Sequence, residues 1–196
     1  MSFSSKHEKQ SMNLLKKSDG AALIEFALIL PLLLLLVFGV FEFGRAIQTK
    51  NILANMSREG ANLASRTSST VQTIMNSIAL TADPLDMTAN GMIFVTEVRG
   101  QGADPTVPRV TAQYRWTGSS YQPSSRAWSS CSNWDANGAC LGNFDELSDN
   151  EAEADLNGLE LKDREVVFAV EVFLDYQPIT TYVINNRVQL YSLAVF

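Results

Sequence analysis

Histidine is nearly missing from this chain: among 196 residues there is only His7. Beyond it no Ser-His-Asp or Cys-His arrangement for nucleophilic catalysis can be assembled. Cysteine is scarce as well. Cys131 and Cys140 are the only two, so a zinc site would lack two further soft ligands. Positive charge is short, with 15 Lys and Arg against 21 Asp and Glu, a net charge of −6. The first twenty residues hold four lysines against two acids, leaving 11 basic and 19 acidic residues, or −8, for residues 21–196. That balance excludes nucleic acid as a partner, because phosphate binding needs clustered Lys and Arg. No phosphate-cradling glycine loop, dinucleotide fingerprint or internal repeat is present. Carboxylates are abundant but crowd one loop, without the apolar or basic setting that would split their pKa values. An envelope hydrolase therefore has almost no residue support.

Charge is also absent from Phe26 to Phe41, where Leu, Ile, Val and Phe dominate. At about 1.5 Å per helical residue, Ala21 to Phe41 spans roughly 31 Å, one bilayer's hydrocarbon thickness. This predicts a transmembrane helix, with membrane lipid as its surroundings. Pro31 is tolerable in such a helix where neighbours re-satisfy the freed backbone groups. An ordinary secretory signal peptide fits less well: the apolar run is too long, and no small-residue cleavage site follows Phe41. The lysines of the leader place the N-terminus inside. One acid breaks the tract. Glu25 stands where a carboxylate costs roughly 2–3 kcal/mol or more, less near the interface. A cut between Gly20 and Ala21 would create an ammonium one helical turn from Glu25, or beside the Glu25 of a neighbour, and would offset that cost.

A polar leader with Lys16 and Lys17, then Gly20, then Glu25-Phe26 opening an apolar helix, resembles the processing site of type IV prepilins. The likeness is closer to one branch. Glu25-Phe26, Pro31 and the run FGVFEFGRAIQTKNILANMSREGANLASR are similar to the TadE-like minor pilins, pseudopilins of tight-adherence (Flp) pilus systems. The resemblance covers Asp19 to Arg66, about a quarter of the chain, and rests on the EFGRA and SREGA runs as much as on the glycine-to-glutamate spacing. It implies a prepilin peptidase that cuts after Gly20, a mature chain whose fifth residue, Glu25, guides assembly, and other pilin subunits as partners.

Beyond the membrane a helix is expected to continue over 46–66, with Ile47, Ile52, Met56 and Leu63 near one face and Gly60 an isolated weak point. That stripe serves either as a spacer packed on its own domain or as a pilin-type face for other subunits, and the two are compatible. Glu42 and Arg45 are spaced to pair. Thr67 to Thr70 offers N-caps for a second short helix carrying Val71, Ile74, Met75 and Ile78, ended by Asp83-Pro84. Strands are expected at Met92–Arg99, Arg109–Trp116, Arg164–Tyr176 and within Tyr182–Phe196, the last with a break at Asn185-Asn186. The second alternates: Val110, Ala112, Tyr114 and Trp116 on an apolar face, Arg109, Thr111, Gln113 and Arg115 on a polar one. The DYQP run at Asp175–Pro178 again resembles the TadE-like pattern. Together these elements predict an α+β fold, a long N-terminal helix followed by a small antiparallel sheet domain.

Between the second and third strands lies a polar excursion, Thr117 to Ser148. Its cysteines, Cys131 and Cys140, read as a disulfide in an exported domain. Trp128 and Trp134 beside them either form a contact surface or pin the loop to the sheet, the second being the commoner use. Asp145 to Glu160 reads first as a solvated acidic segment. Asp149, Glu151, Glu153, Asp155, Asn157 and Glu160 do fall at the ligand positions of a twelve-residue calcium loop, but Ala154 stands where that loop needs glycine. No cofactor is expected.

The organisation expected is thus a basic cytoplasmic leader (1–20), a transmembrane helix (21–43), its continuation (44–66) and an exported α+β domain (67–196). The function expected is that of a minor pilin, supporting pilus biogenesis, adhesion and secretion while catalysing nothing itself. The alternative is a single-pass anchored domain that stays uncut and binds a ligand or partner outside the membrane.

Overall fold

Gly20 to Arg45 needs no partner to be helical, because Leu, Ala, Phe and Ile follow one another with only Pro31 as a breaker. In the computed structural model, residues 5–102, 106–179 and 187–196 are described, with side chains from Gly20 onward and that of Asp149 excepted. Helix α1 runs over Ser5–Arg66 without a break at Gly20 or Pro31. From Gly20 on, its apolar stretch has a mean hydropathy of 2.8 and none of it is buried. By length and composition it has the character of a single-pass membrane anchor. The chain divides into two compact units, the first ending at Arg45 and the second covering Ala46–Phe196. In the first, Arg45 Nη1 lies 3.7 Å from Glu42 Oε2, the pair anticipated from their spacing.

The second unit opens with the last turns of α1, followed by α2 (Val71–Leu80) and the single turn α3 (Met87–Asn90). Thr70 caps α2, its hydroxyl accepting from Thr73 N at 3.3 Å. Four antiparallel strands follow: β1 (Gly91–Gln101), β2 (Val107–Arg115), β3 (Val166–Tyr176) and β4 (Val188–Val195). A further turn, α4 (Asp149–Ala152), precedes β3. The expected break at Asn185-Asn186 lies outside the described residues. The architecture is α+β, as the sequence predicts.

Strand order in the sheet is β2-β1-β3-β4. To pass from edge strand β2 to β3, the chain must cross β1, and residues 116–165 make that crossing over one face. The helices cover the other. Both faces of the central pair are therefore covered, which is why β1 and β3 are buried along nearly their whole length rather than at alternate residues. On the helix side, Ile93, Val95, Val170 and Val172 pack with Leu53, Met56, Met75 and Ile78. On the crossing side, Val98, Val110, Val167 and Ala169 meet Trp128, Leu156 and Leu161.

Two expectations need correction. The face that α1 buries is Thr49, Leu53, Met56, Ser57, Gly60 and Ala61, whereas Ile47 is exposed and Ile52 and Leu63 are half-buried. Small residues win that face because the helix lies close to its neighbours. A Cβ on Gly60 would stand 2.9 Å from Ile78 Cδ1 and 3.0 Å from Val170 Cγ1, so Gly60 is a packing requirement and no weak point. Ser57 Oγ meets Ser192 Oγ of β4 at 2.9 Å on the same side. In β2 the alternation fails at Thr111. Opposite β1 the partners step from Ala112 to Val110 between Glu97 and Val98, so Thr111 is the extra residue of a bulge. Val110 moves to the crossing side, where Gln113, assigned from sequence to a polar face, is buried as well.

Candidate functional site

Gly20, Ala21, Glu25 and Phe26 all lie on α1 and all are exposed. Nothing stands within 4 Å of the position a Cβ on Gly20 would occupy. There is thus open space beside the Gly20 Cα, and glycine holds helix less well than any residue but proline. Phe26 leaves 59% of its surface uncovered, as do its apolar neighbours in comparable measure. Glu25 makes no hydrogen bond or ion pair among the described residues. What the segment offers is a smooth apolar cylinder bearing one acid near its start.

The crossing segment of the second unit is held by a different acid. Glu171 sits mid-way along β3 with no solvent exposure. Its Oε1 accepts from Arg126 N at 2.8 Å, Ala127 N at 3.0 Å and the Tyr191 hydroxyl at 3.1 Å. Its Oε2 accepts from the Ser125 hydroxyl. The direction of that last bond is fixed, since Ser125 Oγ already accepts from Gln113 Nε2 and Trp128 N, both at 3.1 Å. Burial raises the Glu171 pKa, and the donors led by Ser125 only partly offset it. Tyr191 is pushed up too, by burial first and then by the Glu171 charge. Above Tyr191, the Arg126 guanidinium stands 4.5 Å from the ring centroid and donates to Gln189 Oε1 at 2.9 Å. Sequence reading passed over Glu171. The signal was there, since the run from Val166 to Leu174 is otherwise apolar on both of its faces, leaving this one charge with nowhere exposed to go.

Cys131 and Cys140 are joined in a disulfide, with Cα atoms 6.0 Å apart. Both tryptophans pin the segment down rather than standing free. Trp128 is buried, its ring 5.4 Å from that of Phe144 and its Nε1 donating to Glu151 O at 2.8 Å. Trp134 lies 6.0 Å from Phe94, with Arg115 5.0 Å above its ring. Gln72 of α2 ties in the far end, donating to Arg115 O at 2.7 Å and Asn137 O at 2.8 Å. The chain turns there at Gly138, whose φ of +74° is a left-handed conformation.

The acidic run does not wrap around one point. Glu151 Oε2 accepts from Ser148 N at 3.1 Å and from Ser148 Oγ at 2.7 Å, which lowers its pKa. Glu153 forms an isolated antiparallel β-bridge with Arg109 through the main chain, and Ala154 N donates to Pro108 O at 2.8 Å along the edge of β2. Asp155 Oδ1 accepts from Asn157 N at 3.0 Å at a turn where Asn157 and Gly158 have φ of 55° and 79°. Glu160 is exposed, and the Asp149 side chain lies outside the description. Among the described residues, no three His, Cys, Asp or Glu side chains gather as a metal site.

Residues 20–62 match the family described as TadE-like protein. The match begins at Gly20, includes Glu25 and Phe26, and ends one turn short of the end of α1. It covers less than a quarter of the chain and none of the sheet. That segment is similar to TadE-like proteins and associates the chain with Tad-type pilus proteins. No curated protein and no solved structure matches the chain.

Proposed function

We infer that this chain is the membrane precursor of a minor pilin of a tight-adherence pilus. The carrying observation is a coincidence of position. The TadE-like match starts at Gly20, at the glycine that stands five residues before the lone acid of the exposed apolar tract Gly20–Phe41.

The mechanism has three steps. The basic leader stays on the cytoplasmic side, where anionic lipid and the positive-inside bias hold it. Prepilin peptidase then hydrolyses the Gly20–Ala21 amide, leaving a carboxylate on Gly20 and an ammonium on Ala21. That ammonium neutralises Glu25, in the same subunit or the next, so the acid is tolerated only in a processed and packed helix. Glu25 thereby selects the assembled state over the isolated one. The domain built from Ala46 onward is carried outside, where a disulfide is stable, and supports pilus biogenesis, adhesion and secretion through its contacts with other pilus subunits. The chain is the peptidase's substrate and catalyses nothing.

Glu25→Ala in the producing cell tests the role of the acid. The chain should still be cut after Gly20, while surface pili fall to a small fraction of the wild-type number. Normal piliation would remove Glu25 from the mechanism. A chain left uncut beside an active peptidase would instead support an anchored binding domain.

A further inference from the structure

Where β1 ends, a partly open cleft of about 730 Å³ lies between the β1–β2 pair, residues 142–147 and the turn before β3. That volume is within the range of small-molecule sites. Three of the lining residues are arginines, Arg99, Arg109 and Arg164, against two carboxylates, Asp145 and Asp163. The surrounding unit has the opposite balance. Ala46–Phe196 holds 10 basic and 17 acidic residues, so nearly a third of its cations are gathered in this one place.

The fold pays for this gathering. Arg99 and Arg109 are direct partners across the β1–β2 ladder, and like charges set opposite each other destabilise a sheet. Arg164 has a φ of 66°, and the one other non-glycine in that left-handed region among the described residues is Asn157, a type that tolerates it. Strained residues of this kind collect at ligand clamps. The left-handed turn lets Arg164 N donate to Gly100 O at 2.8 Å, next to Arg99 in the chain. Two of the three guanidiniums are also presented to solvent. Arg99 is exposed, and its side chain makes no hydrogen bond or ion pair among the described residues. The Arg164 side chain is 89% exposed, with its Nε 3.6 Å from Asp163 Oδ2, too far for a hydrogen bond. Arg109 is half-buried and donates from Nη2 to Leu147 O at 2.9 Å.

We propose that this cleft binds a compact polyanion, a ligand with two or more neighbouring phosphate or carboxylate groups. Arg99 and Arg164 supply exposed guanidinium forks, whose planar geometry suits both kinds of group, and Arg109 adds a third positive charge. The two aspartates set a threshold. A single weak anion gains little in a lining with one net positive charge, whereas a multiply charged ligand engages two forks at once. Three arginines in one cleft make a patch of small-ligand size, not the stripe that a nucleic-acid backbone needs. The proposal is independent of whether the chain is cut at Gly20.

Isothermal titration calorimetry on the full chain in an uncharged detergent tests it, at about 0.01 M salt, where screening is weak. Tripolyphosphate and citrate probe the two kinds of group, and acetate is the single-charge control. At least one probe should bind about tenfold or more tighter than acetate, and the probe that binds identifies the group. Arg99→Gln and Arg164→Gly should each weaken that binding by about tenfold or more. Because glycine relieves the left-handed backbone, Arg164→Gly should melt no lower than wild type, which separates lost binding from lost fold. If it does melt lower, Arg99→Gln, at an exposed side chain, decides alone. Lys16→Gln with Lys17→Gln, in the leader, should leave the binding unchanged. No heat from either probe overturns the proposal. So does affinity no better than that of acetate, affinity unaltered in Arg99→Gln, or affinity lost with the leader lysines.

Discussion

The backbone N–H of Ala127 donates to Glu171 Oε1 at 3.0 Å across 44 residues of sequence. Through this bond and those from Arg126 N and the Ser125 hydroxyl, a carboxylate in the middle of the sheet decides where the crossing segment lies. The segment has little regular structure of its own, so these bonds, the disulfide and two indole rings do the work that periodic packing does elsewhere.

Replacing Glu171 should therefore loosen that cover. Glu171→Gln puts an amide nitrogen where donors already point, and should cost about 2–3 kcal/mol in chemical unfolding. The pH dependence has a defined sign. Because burial raises its folded pKa above the usual glutamate value of about 4.5, the folded state binds a proton more readily than the unfolded one. Glu171's contribution is complete below that value and is lost as pH rises through the folded pKa. Asp86 and Glu151, whose pKa values are lowered by their hydrogen bonds, act in the opposite direction, losing their contribution as pH falls. Stability curves of wild type and Glu171→Gln from pH 4 to about 8 separate the two, since only the rise-linked loss should vanish in the variant.

The fit of α1 on the sheet yields a second expectation. Gly60→Val would set two methyl groups against Ile78 and Val170, which already stand about 3 Å from a Cβ there. Overpacking should cost about 1–3 kcal/mol, more than the helix propensity that leaving glycine regains. Thermal unfolding followed by circular dichroism would show it, with Ile47→Val, on the exposed side, as a near-neutral control.

Much of this architecture was legible beforehand, for physical reasons. The anchor, α2 and the strand at Val166–Tyr176 are spelled out by period and by length. What escaped was whatever depends on closeness rather than hydrophobicity. A scan for large apolar residues picks Ile47 and Leu63, while contact selects Thr49, Ser57 and Gly60, because a near backbone leaves room only for small side chains. The bulge at Thr111 inverts half a strand without leaving a compositional mark. Glu171 and Gln113 look like surface residues until the crossing segment, which has no periodic pattern, is laid over them. In the anchor, Gly20, Glu25 and Phe26 draw attention from sequence alone, because a single charge stands out in an apolar run.

Removing the disulfide should be costly but local. Cys131 and Cys140 close a loop of about ten residues, for which chain entropy predicts about 2.5–3 kcal/mol. The Cys131→Ser, Cys140→Ser double variant should unfold at a lower temperature, with the fluorescence of Trp134 changing before the sheet melts. No free thiol should titrate in the wild-type chain before reduction.

The most direct measurement is the N-terminal residue of the chain recovered from membranes of cells whose prepilin peptidase is active. Mass spectrometry should find a mature polypeptide that begins at Ala21, with Glu25 in fifth place. Recovery of the same chain still carrying residues 1–20 would contradict the account, since Glu25 would then lie in lipid without the cation that processing supplies.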